Sequence, residues 1–553
     1  MTQVSVAAAP LRASAAGWRG GAALLLAALW LSCLWSLPTN PYGPLRFALS
    51  LEVVALLLLL ALVAPLRAGV PGRVLRYAAA AASTLVLALE LGELAIRASL
   101  GRGLNPLLDL DLAPSLVRLL SGTLGPFLCA LLLAGVGLAL LAAFVLSVLA
   151  VGAAQRTLAR RRLRVPTIAL ALLLLAAFGL GRAAPQLMGW RPVSAHASDM
   201  LLAQWRLGRE AVQDQARLAA AMASDPVRAL PQSTLLARLA GIDVLLIYVE
   251  SYGRSALEQP RYATILQPRL QAFERQLAAH GLAAASGYLT SPTVGGQSWL
   301  AHGTIESGLW LPLQRDYDAL LRSDWLTLSK AFAAAGHRTL AIKPAITMPW
   351  PEGERFGYQR IYAAADLGYA GLPYNWITMP DQYTLSALER LERADAALPL
   401  FAEISLISSH APWTPIPPLL DDWSAIGDGA VFSRWAQQGD PPEVVWRDPE
   451  RVRHQYALAI DYVLDVLASY AAAFADERTL MILVGDHQPA PIITGEDADR
   501  DVPIHVIAGD PALLEPFRAW GLAAGMRPTG PAVDRMDGFR TWFLTTFSEQ
   551  FRG

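Results

Sequence analysis

The pattern of apolar and polar positions divides the chain in two. Before about residue 184 long apolar runs dominate, and beyond it short apolar runs alternate with amphipathic ones. Five stretches of the first part meet the length and polarity of membrane spans, at roughly residues 20–37, 47–65, 77–96, 124–153 and 166–183. The fourth is long enough to tilt or to extend past the bilayer. Glu90 and Glu93 interrupt the third, either as functional carboxylates at membrane depth or as groups facing headgroups or a neighbouring helix. No small-residue cleavage site follows the first run, so it reads as a retained span rather than a removed signal.

Residues 199–222 show helical periodicity with a charged opposite face, which suits either a helix lying along a membrane surface or an ordinary surface helix. Further on, VLLIYVE (244–250), RTLAIK (338–343), LFAEISL (400–406), TLMILVG (479–485) and IHVIAG (504–509) are short, apolar and rich in β-branched residues, the pattern of strands buried on both faces. Helical segments such as QPRLQAFERQLAAHG and DWLTLSKAFAAAG lie between them and end in glycine, as a helix stop does. Strands alternating with helices predict an α/β domain with a mostly parallel central sheet, whose ligands bind at the carboxyl ends of the strands. The expected organisation is a five-helix transmembrane domain over 1–183, a linker over 184–235 and a catalytic domain over 236–553.

Composition supports this division. At 54% hydrophobic and 16% charged, the chain is too apolar for a soluble enzyme of 553 residues. A net charge of -1 and the absence of a dense basic stripe exclude a nucleic-acid partner. Both cysteines, Cys33 and Cys129, fall in apolar runs, so the second half has neither a disulfide nor a thiol ligand. Arginines place the ends of the spans: Arg12 and Arg19, then Arg67, Arg73 and Arg76, then Arg156, Arg160, Arg161, Arg162 and Arg164 belong on the cytoplasmic side. Arg97, Arg102 and Arg118 are spaced out and partly balanced by Asp109 and Asp111. Five spans from an internal N-terminus put everything after about residue 184 outside.

Candidate chemistry gathers at strand ends. Glu250 follows the first strand, His410 lies shortly after the third, and Asp486 and His487 follow the fourth. Each alone is as compatible with a capping or surface group. Together, oxygen and nitrogen donors from separate strands make a set suited to Zn²⁺ or Mn²⁺. In SPTVGGQSWLAHGTIESGLW (291–310) two glycines precede an apolar helical pattern, which sets Ser298 at or near a helix N-terminus. There it is either an N-cap or a hydroxyl nucleophile favoured by free N–H groups and a divalent metal.

The segments VESYG around Glu250, GGQSWLAHGTIESGL, SSHAPWTP around His410 and GDHQP at 485–489 resemble, in order and spacing, the sulfatase-like branch of the alkaline phosphatase superfamily. More closely, they resemble lipoteichoic acid synthases and related phosphoglycerol transferases. That resemblance implies one metal ion, Mn²⁺, Mg²⁺ or Zn²⁺, held by Glu250, Ser298, Asp486 and His487, with Ser298 as nucleophile. It implies His410 as a phosphate-binding or protonating group, and Lys343 and Trp350 in the head-group region. The expected reaction is transfer of a phospho-head group, phosphoglycerol or similar, from a phospholipid donor to an envelope glycan or polymer. The catalytic domain is then expected on the outer face of a bacterial cytoplasmic membrane. Hydrolysis with water as acceptor, phosphoethanolamine transfer and non-catalytic binding are the alternatives. The chain departs from the family in having serine where threonine is usual, with Thr293 as a second candidate nucleophile, and in carrying Glu352 where phosphoglycerol transferases tend to present arginine. A cysteine-free ectodomain differs from lipid A phosphoethanolamine transferases, and the C/S-x-P-x-R motif of true sulfatases is absent near Ser298.

Overall fold

The computed structural model describes residues 10–37, 48–66, 69–100, 102–106, 108–183, 193–394, 398–495 and 498–548. Arg67 and the first residues of the expected linker, 184–192, lie outside the described residues. The chain divides into two compact units, Met1–Ala98 with Arg102–Val212, and Ser99–Gly101 with Gln213–Gly553.

In the first unit every expected span contains a helix: α1 (Pro10–Leu34), α2 (Leu51–Leu62), α3 (Val70–Leu100), then, after the short α4 (Ala113–Leu124), α5 (Pro126–Leu158) and α6 (Arg161–Ala183). Of these, α3, α5 and α6 are long and apolar enough to cross a membrane. The second expected span is shorter than its apolar run. Ser50 caps α2 by accepting from the Val53 N–H at 3.2 Å, and the 12-residue helix covers only about 18 Å against about 30 Å of hydrocarbon. Glu93 proves to be an integrated structural carboxylate: it pairs with Arg97 at 2.7 Å and accepts from the Leu104 N–H at 2.8 Å and from Gln204 at 3.2 Å. Glu90 is also buried. Arg102 is balanced by Asp109 through two hydrogen bonds, as the sequence suggested. The amphipathic stretch expected at 199–222 is helix α7 (His196–Ala223).

The second unit is built on a nine-stranded sheet. Its strands are β1 (Asp243–Val249), β2 (Ala283–Thr290), β3 (Arg338–Lys343), β4 (Arg360–Ala363), β5 (Leu400–Leu406), β6 (Thr479–Gly485), β7 (Asp501–Ala508), β8 (Ala523–Ala524) and β9 (Asp534–Arg535). The order is β8-β2-β7-β6-β1-β5-β3-β4, with β9 beside β2. The block β6-β1-β5-β3-β4 is parallel throughout, and β7 runs antiparallel to both β6 and β2. Alternate residues of β1 feed two cores. Leu245, Ile247 and Val249 face the core shared with helices Pro260–Ala279 and Pro449–Phe474, while Val244, Leu246 and Tyr248 face that shared with Ser298–Ser307 and Met536–Ser548. Burial on both faces is why the parallel strands read as continuous apolar runs. The five expected strands are all present. The strand β2, AAASGYLT, escapes sequence reading because small residues carry little strand propensity; pairing on both sides holds it in place.

Candidate active site

Sheet register creates the site. Val249 of β1 pairs with Gly485 of β6, so the residues that follow, Glu250 and Asp486, leave adjacent strands side by side at the carboxyl edge. On the other side Val249 pairs with Leu406 of β5, which brings the segment leading to His410 to the same edge. Gly485 is required there: a Cβ on it would lie 1.9 Å from the Tyr252 carbonyl oxygen, so only glycine lets the chain leaving β1 pass over the end of β6. Ser409 donates to the Glu250 carbonyl at 2.6 Å, and the Ser291 hydroxyl donates to that of Asp486 at 2.6 Å, tying the loops to one another.

Ser298 is the first residue of the helix Ser298–Ser307. The preceding Gly295, Gly296 and Gln297 all have positive φ, and the Gly295 N–H donates to the Gln488 carbonyl at 2.8 Å. This left-handed turn aims the helix start at the end of β6. The Ser298 hydroxyl donates to Glu250 Oε2 at 2.9 Å and lies 3.2 Å from His487 Nε2, and His487 Nε2 is 3.3 Å from Glu250 Oε1. Asp486 Oδ1 accepts the N–H groups of Ser251 at 2.8 Å and His487 at 2.7 Å. Thr293 is engaged elsewhere, its hydroxyl donating to the Gly296 carbonyl at 2.7 Å, where it braces the turn.

Glu250, Asp486 and His487 each offer a ligand atom within 4.8 Å of the others, and all three are buried. The His487 Nδ1–H donates to the Gln488 carbonyl at 2.9 Å, which fixes the ring with Nε2 facing Glu250 and Ser298. Burial acts downward on His487, but the charge of Asp486 and the hydrogen bond and charge of Glu250 raise it to about 9, so Nε2 carries a proton that a bound metal ion would displace. Burial, reinforced by the Glu250 charge, pushes Asp486 up to about 8. For Glu250 burial also acts upward, but the hydrogen bond and charge of His487 overcome it and hold the group well below the usual range. Two buried carboxylates with no fixed cation suit a divalent ion, which replaces the proton they otherwise share. The donor set therefore fits a hard or borderline metal such as Mn²⁺, Mg²⁺ or Zn²⁺.

A cavity of about 470 Å³ opens beside Ser298. Of the residues expected near substrate, Lys343, Trp350 and His410 line it, together with Glu352. The His410 Nδ1–H donates to the Ala411 carbonyl at 2.6 Å, leaving its other nitrogen unengaged. Lys343 is engaged by protein groups. Its Nζ is buried in an ion pair with Glu403 and contacts Ser405 at 3.1 Å and His302 Nδ1 at 3.2 Å. Sequence reading missed His302, Glu306 and Glu403. The first two stand four and eight residues after Ser298, on one helix face, and the third is the one charged residue of the strand LFAEISL; both signals were legible.

No protein-family model matches the chain, and no curated protein matches it. Solved structures do. The lipoteichoic acid synthase LtaP from Listeria monocytogenes aligns at 11% identity over 50% of this chain and 69% of that one, with a TM-score of 0.35. The phosphoglycerol transferase GacH of Streptococcus pyogenes, solved with sn-glycerol-1-phosphate, aligns at 13% over 50% and 76%, with a TM-score of 0.33. A protein of the alkaline phosphatase superfamily from Vibrio parahaemolyticus aligns at 16% over 51% and 70%, with a TM-score of 0.31. The likeness to each is one of fold alone. The chemistry rests on this chain's own geometry.

Proposed function

We propose that the chain is a membrane-attached, metal-dependent phosphotransferase that moves a head group of about the size of phosphoglycerol from a phospholipid to an envelope acceptor. The observation that carries this reading is the convergence at Ser298: a hydroxyl at a helix N-terminus, 2.9 Å from Glu250 and 3.2 Å from His487, beside a three-donor cluster and a cavity. Glu250, Asp486 and His487 would hold one divalent ion, which supplies a lowered pKa for the serine hydroxyl and charge for the phosphoryl oxygens.

In the first step Ser298 Oγ bonds to phosphorus, the bond from phosphorus to the diacylglycerol oxygen breaks, and the serine proton is released to solvent. His410, protonated at the cavity wall, donates its proton to the departing oxygen. In the second step an acceptor hydroxyl bonds to phosphorus, the Ser298 Oγ–phosphorus bond breaks, the acceptor's proton passes to His410, and Ser298 takes a proton back from solvent. The free N–H groups at the start of Ser298–Ser307 favour the anion in both steps. Covalent attachment to apolar helices raises the local concentration of a lipid substrate, and the arginine pattern favours an external catalytic unit on a bacterial cytoplasmic membrane.

The test is intact-protein mass spectrometry of wild type and Ser298→Ala after incubation with bacterial phospholipid and Mn²⁺. A head-group phosphate adduct on Ser298, absent from the variant, is the expected result. Turnover undiminished in Ser298→Ala refutes the assignment, and release of free head-group phosphate without an acceptor product reassigns the chain as a phosphodiesterase.

A further inference from the structure

With a divalent ion on Glu250, Asp486 and His487, the cavity beside Ser298 would differ in charge between its two ends. One end holds His410 and a helix N-terminus, which favour an anion, and the ion would add positive charge there. The helix Ser298–Ser307 runs along the cavity, with Ser298, His302, Gly303 and Glu306 lining it. Ser298 and Glu306 are eight residues apart, about 12 Å of helix, so Glu306 sits toward the end whose dipole favours a cation.

Glu306 is fully buried. Its Oε2 accepts from the Ser329 N–H at 3.1 Å and from the Ser329 hydroxyl at 3.2 Å; among the described residues its Oε1 has no N–H or hydroxyl donor, and the only further polar partner of the carboxyl is Glu403, with which it shares a proton. A carboxylate oxygen buried without a donor is unfavourable unless something else occupies the site. The charged and titratable groups around it are Glu403, Lys330, Tyr248 and Tyr358, with Lys343, His302 and Tyr317 also on the cavity wall or beside it. Lys343 is already neutralised by Glu403, which also accepts from the Tyr358 hydroxyl, and Lys343 donates to His302 Nδ1. Glu352 adds a further acid at the exposed rim. Lys330 also feels the Glu306 charge, but its Nζ donates to the Trp325 carbonyl at 2.9 Å, so among the described residues Glu403 has a lysine in an ion pair and Glu306 has none. The remaining wall is aromatic: Trp350, Phe356 and Tyr358 pack on one another at ring separations of 6.1 to 6.5 Å, with Tyr317 5.9 Å from Phe356. Acid and aromatic faces together are how proteins surround an alkylammonium group.

Resting on the phosphotransfer reading above, we propose that the transferred head group is a zwitterionic phosphate ester with a short-chain ammonium, and that Glu306 is its counter-ion. Phosphate then occupies the end at Ser298, and ammonium N–H groups reach the free Glu306 oxygen. In the empty cavity burial and the Glu403 charge raise the Glu306 carboxyl well above its ordinary range, so it holds a proton; an arriving ammonium provides the charge that lets it ionise, with the proton released to solvent.

The experiment compares initial rates of diacylglycerol release by the full-length protein with Mn²⁺ from vesicles carrying phosphatidylethanolamine and from vesicles carrying phosphatidylglycerol. A rate at least about tenfold higher on phosphatidylethanolamine is expected, with Glu306→Gln lowering that ratio about tenfold or more. Equal or faster release from phosphatidylglycerol by wild type overturns the ammonium assignment and leaves phosphotransfer standing. Release from neither lipid overturns the phosphotransfer reading and this inference with it. Because the wild-type comparison needs no variant, a Glu306→Gln protein that failed to fold would not spare the proposal.

Discussion

Two groups of buried acids, one at the carboxyl edge of the sheet and one on the middle of β5 and the helix Ser298–Ser307, resolve their charge in different ways. In the first, Glu250 and Asp486 stand together with only His487, whose imidazole can give up its proton. In the second, Glu403 has its cation built in as Lys343, and only Glu306 is left over. The first arrangement calls for an exchangeable divalent ion and suits chemistry; the second is a self-neutralised floor with one oxygen to spare, and suits recognition. Burial is similar in both, so the presence or absence of a fixed cation separates the roles.

The comparison is tested most severely at the proposed nucleophile. Ser298→Ala is expected to lower turnover by about 10³-fold or more while leaving metal binding by the three remaining donors detectable, as measured by rate assay and metal analysis of the same preparation. Removing a donor comes next. Asp486→Asn is expected to weaken the metal by at least about 100-fold, the upper end of what loss of an outer-layer partner costs, and to abolish the rise in melting temperature on titrating Mn²⁺ into metal-free wild type. If the variant still gains stability from Mn²⁺, the first cluster is not the metal site.

The second cluster should respond through stability. Lys343→Met leaves Glu403 buried and uncompensated, which costs about 3–5 kcal/mol in denaturant unfolding, whereas the double change Lys343→Met with Glu403→Gln recovers most of it. Equal losses in the single and double variants would mean that the lysine contributes packing rather than charge. The smallest expected effect concerns pH. Burial and then the Glu403 charge raise Glu306 above its ordinary 4.5, so the folded chain holds a proton that the unfolded chain releases. Its contribution is therefore fully present below about 4.5 and is lost progressively as pH rises toward the raised value, since the folded state binds more protons in that window. Glu306→Gln is expected to flatten this part of the melting-temperature profile of the metal-free protein, and an unchanged profile would place the proton elsewhere.

A second contrast concerns apolar helices. Both α5 and the helix Pro449–Phe474 are long and apolar enough to cross a membrane, but 11% of the most apolar window of α5 is buried in protein against 61% for the latter. The difference is legible in Pro449–Phe474 itself. Its first turns carry Glu450, Arg451, Arg453 and His454, and it is capped by Asp448, which accepts the Glu450 N–H at 2.9 Å. The polar positions mark a helix packed on a sheet, whereas α5 shows no such face over most of its length.

Local pattern alone determined the two-part organisation, the helices under the expected spans, the five apolar strands and the positions of Glu250, Ser298, His410, Asp486 and His487 at element ends, because periodicity and strand-end placement are properties of short segments. Pairing of β1 with β6, which sets Glu250 beside Asp486, and the left-handed turn that brings Ser298 to both, depend on contacts between residues far apart in the chain. The same holds for the capture of Lys343 by Glu403 and for the lone oxygen of Glu306: a charge reads identically in sequence whether or not it has a partner. Only the tertiary structure decided which of these acids was already paired, because in a buried site the energy of an ionised group is set by the few atoms within hydrogen-bond reach of it.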